Sequence, residues 1–229
     1  IISISNYTAK RLKEVLPIVS KKIEIIPCGI NNSTISVSTP TENKGKSILF
    51  VGWLKERKGV LEALKAINAY KCKYGEDFVF SIVGQYDGGD KYINNIKDYI
   101  KKNNLDNNVK LLGGVSEQEK ENLLQKSDLF LMLSKVCGDY FEGFGLVYLE
   151  ANKYGMPVIG PNISGTVDAI KDGFSGYIVD INSPENVAKK IHLILDSKTI
   201  KPDNCIGWAR EHSIENISDR IFIAYNKIT

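Results

Sequence analysis

Residues 47–84 read SILFVGWLKERKGVLEALKAINAYKCKYGEDFVFSIVG, and this stretch decides the fold. Ser47 to Gly52 is a short apolar run without polar alternation that ends in glycine. That is the pattern of a strand covered on both faces, as in a parallel sheet. Val60, Leu61, Leu64 and Ile67 then recur at helical spacing as far as the turn signal Tyr74-Gly75. Phe78 to Gly84 is a second apolar run closed by glycine.

The alternation continues outward. Tyr92, Ile93, Ile96, Tyr99 and Ile100 mark a helix, and Val109 to Leu112 a strand. Ser116 and Glu119 have capping-box spacing at the start of a short helix. Asp128 to Leu133 reads as a strand, Phe144 to Tyr154 as a helix, and Pro157 to Ile159 and Tyr177 to Val179 as strands. Ser183-Pro184 opens a helix whose buried stripe is Val187, Ile191 and Ile194. Strand and helix in regular alternation specify an α/β fold, a doubly wound, Rossmann-like parallel sheet. Ligands of such sheets bind beyond the carboxyl ends of the strands, here Gly52, Gly84, Gly113 and the chain from Ser134 onward.

The flanks read differently. Residues 1–30 hold a strand (Ile1 to Ile4), a helix (Ala9 to Leu16) and a strand (Lys22 to Ile26), too little for a domain. Residues 31–46 are rich in Asn, Ser and Thr and read as a linker or surface loop. The sheet domain then occupies 47–212. In 213–229, Ile217, Ile221, Ala224, Tyr225 and Ile228 form an apolar stripe that must bury against another element.

Composition narrows the function. Hydrophobic residues make up 43% and charged residues 25%, as in ordinary globular proteins, and the net charge of +3 is too small to argue for nucleic acid. Basic residues are dispersed; Lys10, Arg11, Lys13, Lys21 and Lys22 are weak candidates for contact with acidic lipid. Cys28, Cys72, Cys137 and Cys205 lie far apart without metal-ligand or redox spacing, which fits reduced thiols in the cytoplasm. Asp87 and Asp90 flank glycines but make no metal-binding motif, so no metal site is expected. The chain opens at Ile1 rather than Met, and two readings stand: a fragment of a longer enzyme or an unusually reduced protein.

The chemistry concentrates in EGFGLVYLE, Glu142 to Glu150. Two carboxylates bracket a helix start that carries Gly143 and Gly145. The N–H groups of a helix N-terminus suit an anion, and glycine lets it approach the backbone. On helical rise alone the two carboxylates lie up to roughly 12 Å apart, about the length of ribose, diphosphate and sugar together. Two surface glutamates flanking a tight turn would show the same spacing.

The wider context resolves this ambiguity. Glu142 to Gly160, EGFGLVYLEANKYGMPVIG, resembles the signature of the retaining nucleotide-sugar glycosyltransferases of family four, enzymes with two Rossmann-like domains in the GT-B arrangement. Gly52 to Gly59 (GWLKERKG), Ser81 to Gly84 (SIVG), Leu112 to Ser116 (LGGVS) and Ser164 to Asp180 are similar to further family elements, in the family's order. Ser5 to Thr8 and Ile25 to Asn31 resemble the end of the acceptor domain and the crossing between domains.

The resemblance implies roles. Lys58 would contact the donor diphosphate, with Arg57 beside it; Glu142 would bind the transferred sugar, making Lys58 and Glu142 the catalytic pair. Glu150 would bind the ribose. Gly143, Phe144, Gly145, Leu146 and Val147 would form the distal phosphate site, and Gly52, Gly84 and Val115 would line the donor cleft. The reaction implied is retaining transfer from a nucleoside diphosphate sugar to an acceptor hydroxyl, without metal or other cofactor. Partners would be the nucleotide sugar and an acceptor of unspecified class, in the cytoplasm or at the inner membrane face. Three positions depart from the pattern: Trp53 replaces the family arginine, Asp168 a longer acid, and Cys28 an asparagine. Trp53 keeps open a second reading, a silent nucleotide-sugar-binding module. An epimerase of the same fold would need proton-transfer groups that this sequence does not supply.

Overall fold

The computed structural model describes residues 1–31, 45–86 and 91–226. Most of the expected linker, residues 32–44, lies outside these, as do Asp87 and Asp90 and the last three residues.

In chain order the described elements begin with β1 (Ile2–Ser3), α1 (Asn6–Val15), a 3-10 turn (Pro17–Lys22) and β2 (Glu24–Ile25). The sheet domain follows with β3 (Lys46–Val51), α2 (Val60–Tyr74), β4 (Phe78–Val83), α3 (Lys91–Lys102), β5 (Val109–Gly113) and α4 (Glu117–Lys126). Its second half is β6 (Leu129–Leu131), α5 (Leu146–Lys153), β7 (Val158–Pro161), the single turn α6 (Thr166–Ala169), β8 (Gly176–Val179) and α7 (Pro184–Leu195). Helices α8 (Pro202–Glu211) and α9 (Ile214–Asn226) close the described chain.

The main sheet has six strands in the order β5-β4-β3-β6-β7-β8. Every pair is parallel, as in Ile48 beside Phe80 and Leu129. This is the doubly wound Rossmann-like order. The chain leaves β3 in one direction through β4 and β5, then returns to the other side at β6. The apolar runs lack alternation because both faces are covered. Ile48, Leu49 and Phe50 are almost fully buried, as are Leu129, Phe130 and Leu131. Helix α2 turns Ala63, Leu64, Ile67 and Tyr70 inward, and α5 does the same with Tyr148, Leu149 and Ala151.

Two polar side chains inside this core are hydrogen-bonded across elements. The Tyr148 hydroxyl donates to the Met132 carbonyl at 2.7 Å. Asn152, wholly buried, donates to the carbonyls of Met156 at 2.9 Å and Ser175 at 3.1 Å. It thereby ties the end of α5 to the strands on either side.

Several boundaries differ from expectation for local reasons. β3 starts at Lys46, inside the expected linker, because Lys46 pairs with Phe78 and reaches Asp196 at 2.5 Å. α1 starts at Asn6, earlier than the apolar spacing implied, because Ser5 and Thr8 form a capping box. Residues 202–211 form α8, which packs on α5 and buries Cys205, Ile206 and Ala209. His192 stacks on Tyr74 and contacts Asp196 at 3.0 Å, a packing role.

Part of the expected stripe of α9 closes on the segment before the sheet domain, Ile217 and Ala224 packing with Ile26 and Ile221, whereas Tyr225 stays exposed and Ile228 lies outside the described residues. Backbone bonds from Ile30 N to His212 O (2.9 Å) and from Ile214 N to Ile30 O (3.0 Å) hold the crossing strand. No described helix is long and apolar enough to cross a membrane.

Replacing Asn152 by Leu keeps the branched shape but removes the Asn152 donor to the Met156 carbonyl and one of the donors to the Ser175 carbonyl, which also accepts from Val158 N at 3.3 Å. We expect a loss of about 2 kcal/mol in urea unfolding; an unchanged midpoint would refute this account of the α5 terminus.

Candidate functional site

The switch in strand order leaves a crevice between the carboxyl ends of β3 and β6. The turn after β3 is pressed into it. Gly59 has φ of 71°, and a Cβ there would lie 1.7 Å from the Leu133 carbonyl oxygen. Only a residue without a side chain permits this approach. Lys135 N donates to Arg57 O at 2.8 Å, joining the turn to the chain leaving β6. Gly84 backs onto Gly52 in the same way, since its Cβ would come within 1.8 Å of Gly52 O.

This seam brings the predicted charges together. Lys58 Nζ donates to Glu142 Oε2 at 2.5 Å, and Arg57 Nη1 lies 3.6 Å from the same oxygen. Lys58 and Glu142 are each only 15% exposed, so solvent weakens the pair less than it would at the surface. Two cations face one carboxylate, leaving one positive charge for a further anion. The sequence left open where Arg57 points; it points at Glu142.

Glu142 leads directly into the start of α5. Its carbonyl accepts from Gly165 N at 2.9 Å, and a Cβ on Gly165 would lie 1.9 Å from Gly143 O. Gly145 holds φ of 93° as the N-cap of α5, and no side chain caps the helix. The first amides of α5 therefore face the crevice with the partial positive charge of a helix N-terminus. Phe144 is buried, Val147 half-buried and Leu146 exposed. Tyr148 in the first turn has its phenol pKa pushed well up, by burial first and then by the field of Glu142.

Glu150 stands apart from the Lys58–Glu142 pair. It lines a cleft of about 470 Å³ with Leu146, Lys153 and Tyr154 of α5, Glu117, Lys120 and Glu121 of α4, and the crossing residues Gly29 to Asn31. Burial works against the Lys120 ammonium, but the Glu117 hydrogen bond and the fields of Glu150 and Glu121 outweigh it and raise its pKa. Tyr154 hydrogen-bonds Glu121, and burial with that bond pushes its pKa up to about 12. A second cavity of about 320 Å³ is lined by Trp53, Gln85, Tyr86, Gly113 and Gly114, beside predicted residues Gly52, Gly84 and Val115.

The chain from Ser134 onward, expected on the ligand side of the sheet, forms a rim whose partners the sequence did not show. The chain from Lys135 to Phe141 doubles back through a Cys137–Tyr140 bridge, with Gly138 at φ of 60°. Phe141 meets the Tyr7 ring edge at 4.9 Å, and Asp139 lies 3.5 Å from Arg11. Asp168, read as a shortened family acid, accepts from Asn6 N at 2.8 Å and Asn6 Nδ2 at 2.5 Å, anchoring the start of α1. The contacts with α1 join segments far apart in sequence, and no local spacing announces them. Among the described residues, no group of three His, Cys, Asp or Glu side chains gathers to hold a metal ion.

Comparison with known proteins shows the family. The family described as "Glycosyl transferases group 1" matches residues 31–212. A glycosyltransferase of Methanocaldococcus jannaschii, described as uncharacterized, is 29% identical over 204 residues, covering 88% of this chain and 51% of its own length. The UDP-Gal:alpha-D-GlcNAc-diphosphoundecaprenol alpha-1,3-galactosyltransferase of Escherichia coli is 31% identical over 203 residues, covering 80% of this chain and 48% of its own. The crystal structure of a glycosyltransferase from Rickettsia africae superposes with a TM-score of 0.83 at 24% identity, over 99% of this chain and 62% of that one. The chain thus spans about half the length of the curated relatives it matches.

Gly59→Ala tests the seam. The methyl group must displace the Leu133 carbonyl and adopt a left-handed backbone, and we expect stability to fall by about 2 kcal/mol or more in urea unfolding. A variant as stable as the parent would show that the turn is not wedged against β6.

Proposed function

Because this chain belongs to the group 1 glycosyl transferases and has the fold of the C-terminal half of a GT-B enzyme, we propose that it carries the nucleotide-sugar site of a retaining glycosyltransferase. The observation that carries the reading is the Lys58–Arg57–Glu142 cluster lying at the topological switch point, against the uncapped N-terminus of α5.

The diphosphate of the donor would lie between that helix end and the two cations. Lys58 and Arg57 would then shift part of their charge from Glu142 to the phosphates and stabilise them further as the bond to the sugar breaks. Glu142, released from Lys58, would accept hydrogen bonds from the sugar undergoing transfer. Glu150, in the cleft along the same helix, would accept from the ribose hydroxyls. Gly143 to Val147 would supply the backbone around the distal phosphate, and Gly52, Gly84 and Val115 the wall along the nucleoside. The acceptor hydroxyl would attack from the face the diphosphate leaves. The acceptor site would belong to the longer protein, beside α1 and the Lys135–Phe141 rim that α1 touches.

The silent-module reading draws on Trp53 standing where the family has an arginine. The observed orientation of Arg57 weakens it, because a second cation still reaches the cluster.

Calorimetric titration with UDP, GDP and ADP tests the site, with UDP first because the Escherichia coli relative is named for UDP-Gal. Lys58→Ala and Glu150→Ala should each weaken binding roughly 10- to 100-fold, the value of a hydrogen bond to a charged group. A folded chain that binds none of the three nucleotides would overturn the donor-site reading.

A further inference from the structure

The cavity at the carboxyl ends of β3, β4 and β5 borders Gly52, Gly84 and Val115, and the roles of its own lining side chains have not been assigned above. Trp53 and Tyr86 stand on its rim with 44% and 37% of their surface exposed, although both follow directly from buried strands. What sets these two rings apart is that both border one void. Their backbones are held: Gly52 N donates to Val83 O at 3.0 Å, Leu54 N to Gln85 O at 3.0 Å, and Gly84 N to Gly113 O at 2.8 Å. The rings therefore stand on a rigid rim.

The floor is shaped for a thin object. Gly113 has φ of 71° with open space where a Cβ would stand, and a Cβ on Gly114 would come within 3.0 Å of Gln85 Cγ. The volume of about 320 Å³ lies at the lower end of the range for small-ligand sites. Gln85 brings an amide that both donates and accepts. Lysines flank both rings, with Lys55 Nζ 4.9 Å from the Trp53 centroid and Lys97 Nζ 5.9 Å from that of Tyr86. An aromatic slot with an amide edge and cations nearby suits a flat heterocycle attached to phosphate.

We propose that Trp53 and Tyr86 form the stacking platform for the planar base of the donor nucleotide, so that the residue replacing the family arginine contributes a ring face while Arg57 and Lys58 carry the phosphate charge. This rests on the donor-site reading above. Trp53 is joined through Gly52 to the strand and through the Lys55–Gly59 turn to Lys58, so one segment would grip both base and diphosphate.

The chain has two tryptophans, and the other, Trp208, is partly buried with its indole N–H donating to Ala169 O at 2.9 Å. Intrinsic fluorescence sums the two indoles, and the Trp53→Phe variant isolates the share of Trp53. UDP, GDP or ADP should quench it, whereas inorganic pyrophosphate, which has no base, should not; Trp53→Phe should abolish the quenching. By calorimetry Trp53→Ala and Tyr86→Leu should each weaken the nucleoside diphosphate about 5- to 100-fold, the usual value of one base–aromatic stack, and leave pyrophosphate binding unchanged. Nucleotide binding with unaltered affinity in both variants overturns the platform and leaves the donor site standing. No nucleotide binding by the folded parent overturns both.

Discussion

The site depends on backbone touching backbone. At the carboxyl rim of the sheet, the turn after β3 abuts the end of β6 at Gly59, and the loop before α5 abuts the chain before α6 at Gly165. In each place an ordinary side chain would collide with a carbonyl oxygen. Without those side chains, the Lys58 turn and the Glu142 loop, more than eighty positions apart in sequence, close to ion-pair distance. A charged pair held by packed backbone is pre-organised, and such preorganisation is what transition-state charge stabilisation requires.

The electrostatic layout follows from the same packing. Lys58, Arg57 and the start of α5 concentrate positive charge at one point of the crevice, and Glu142 offsets part of it. Glu150 lies further along α5 in a cleft of mixed charge with Lys120, Glu121 and Tyr154. A ligand with an anionic centre and hydroxyls to one side matches this sequence of charges, and a nucleoside diphosphate sugar is such a ligand. The lining of Trp53 and Tyr86 extends the crevice over β4 and β5 with apolar ring faces.

The flanking elements are bound to the site rather than trailing from it. Asp168 holds the start of α1, Phe141 and Asp139 meet Tyr7 and Arg11, and α9 returns to cover Ile26. Any movement of α1 relative to the sheet is thus linked, through the Lys135–Phe141 rim, to the mouth of the crevice.

The sequence by itself determined the sheet, its doubly wound class and most of the candidate residues. Apolar runs closed by glycine mark strands buried on both faces. The E-x7-E spacing marks a helix start between two carboxylates, and the capping box at Ser116 and Glu119 forms as its spacing implies. These are local signals, because periodicity and capping act over a few residues. Tertiary structure alone decided which charges meet. Arg57 turns to Glu142, Asp168 serves α1, Trp53 and Tyr86 share a cavity, and residues 202–211 become a helix covering α5. Each depends on segments that approach only when the sheet is assembled, and no pattern within one segment encodes which distant surface it will face.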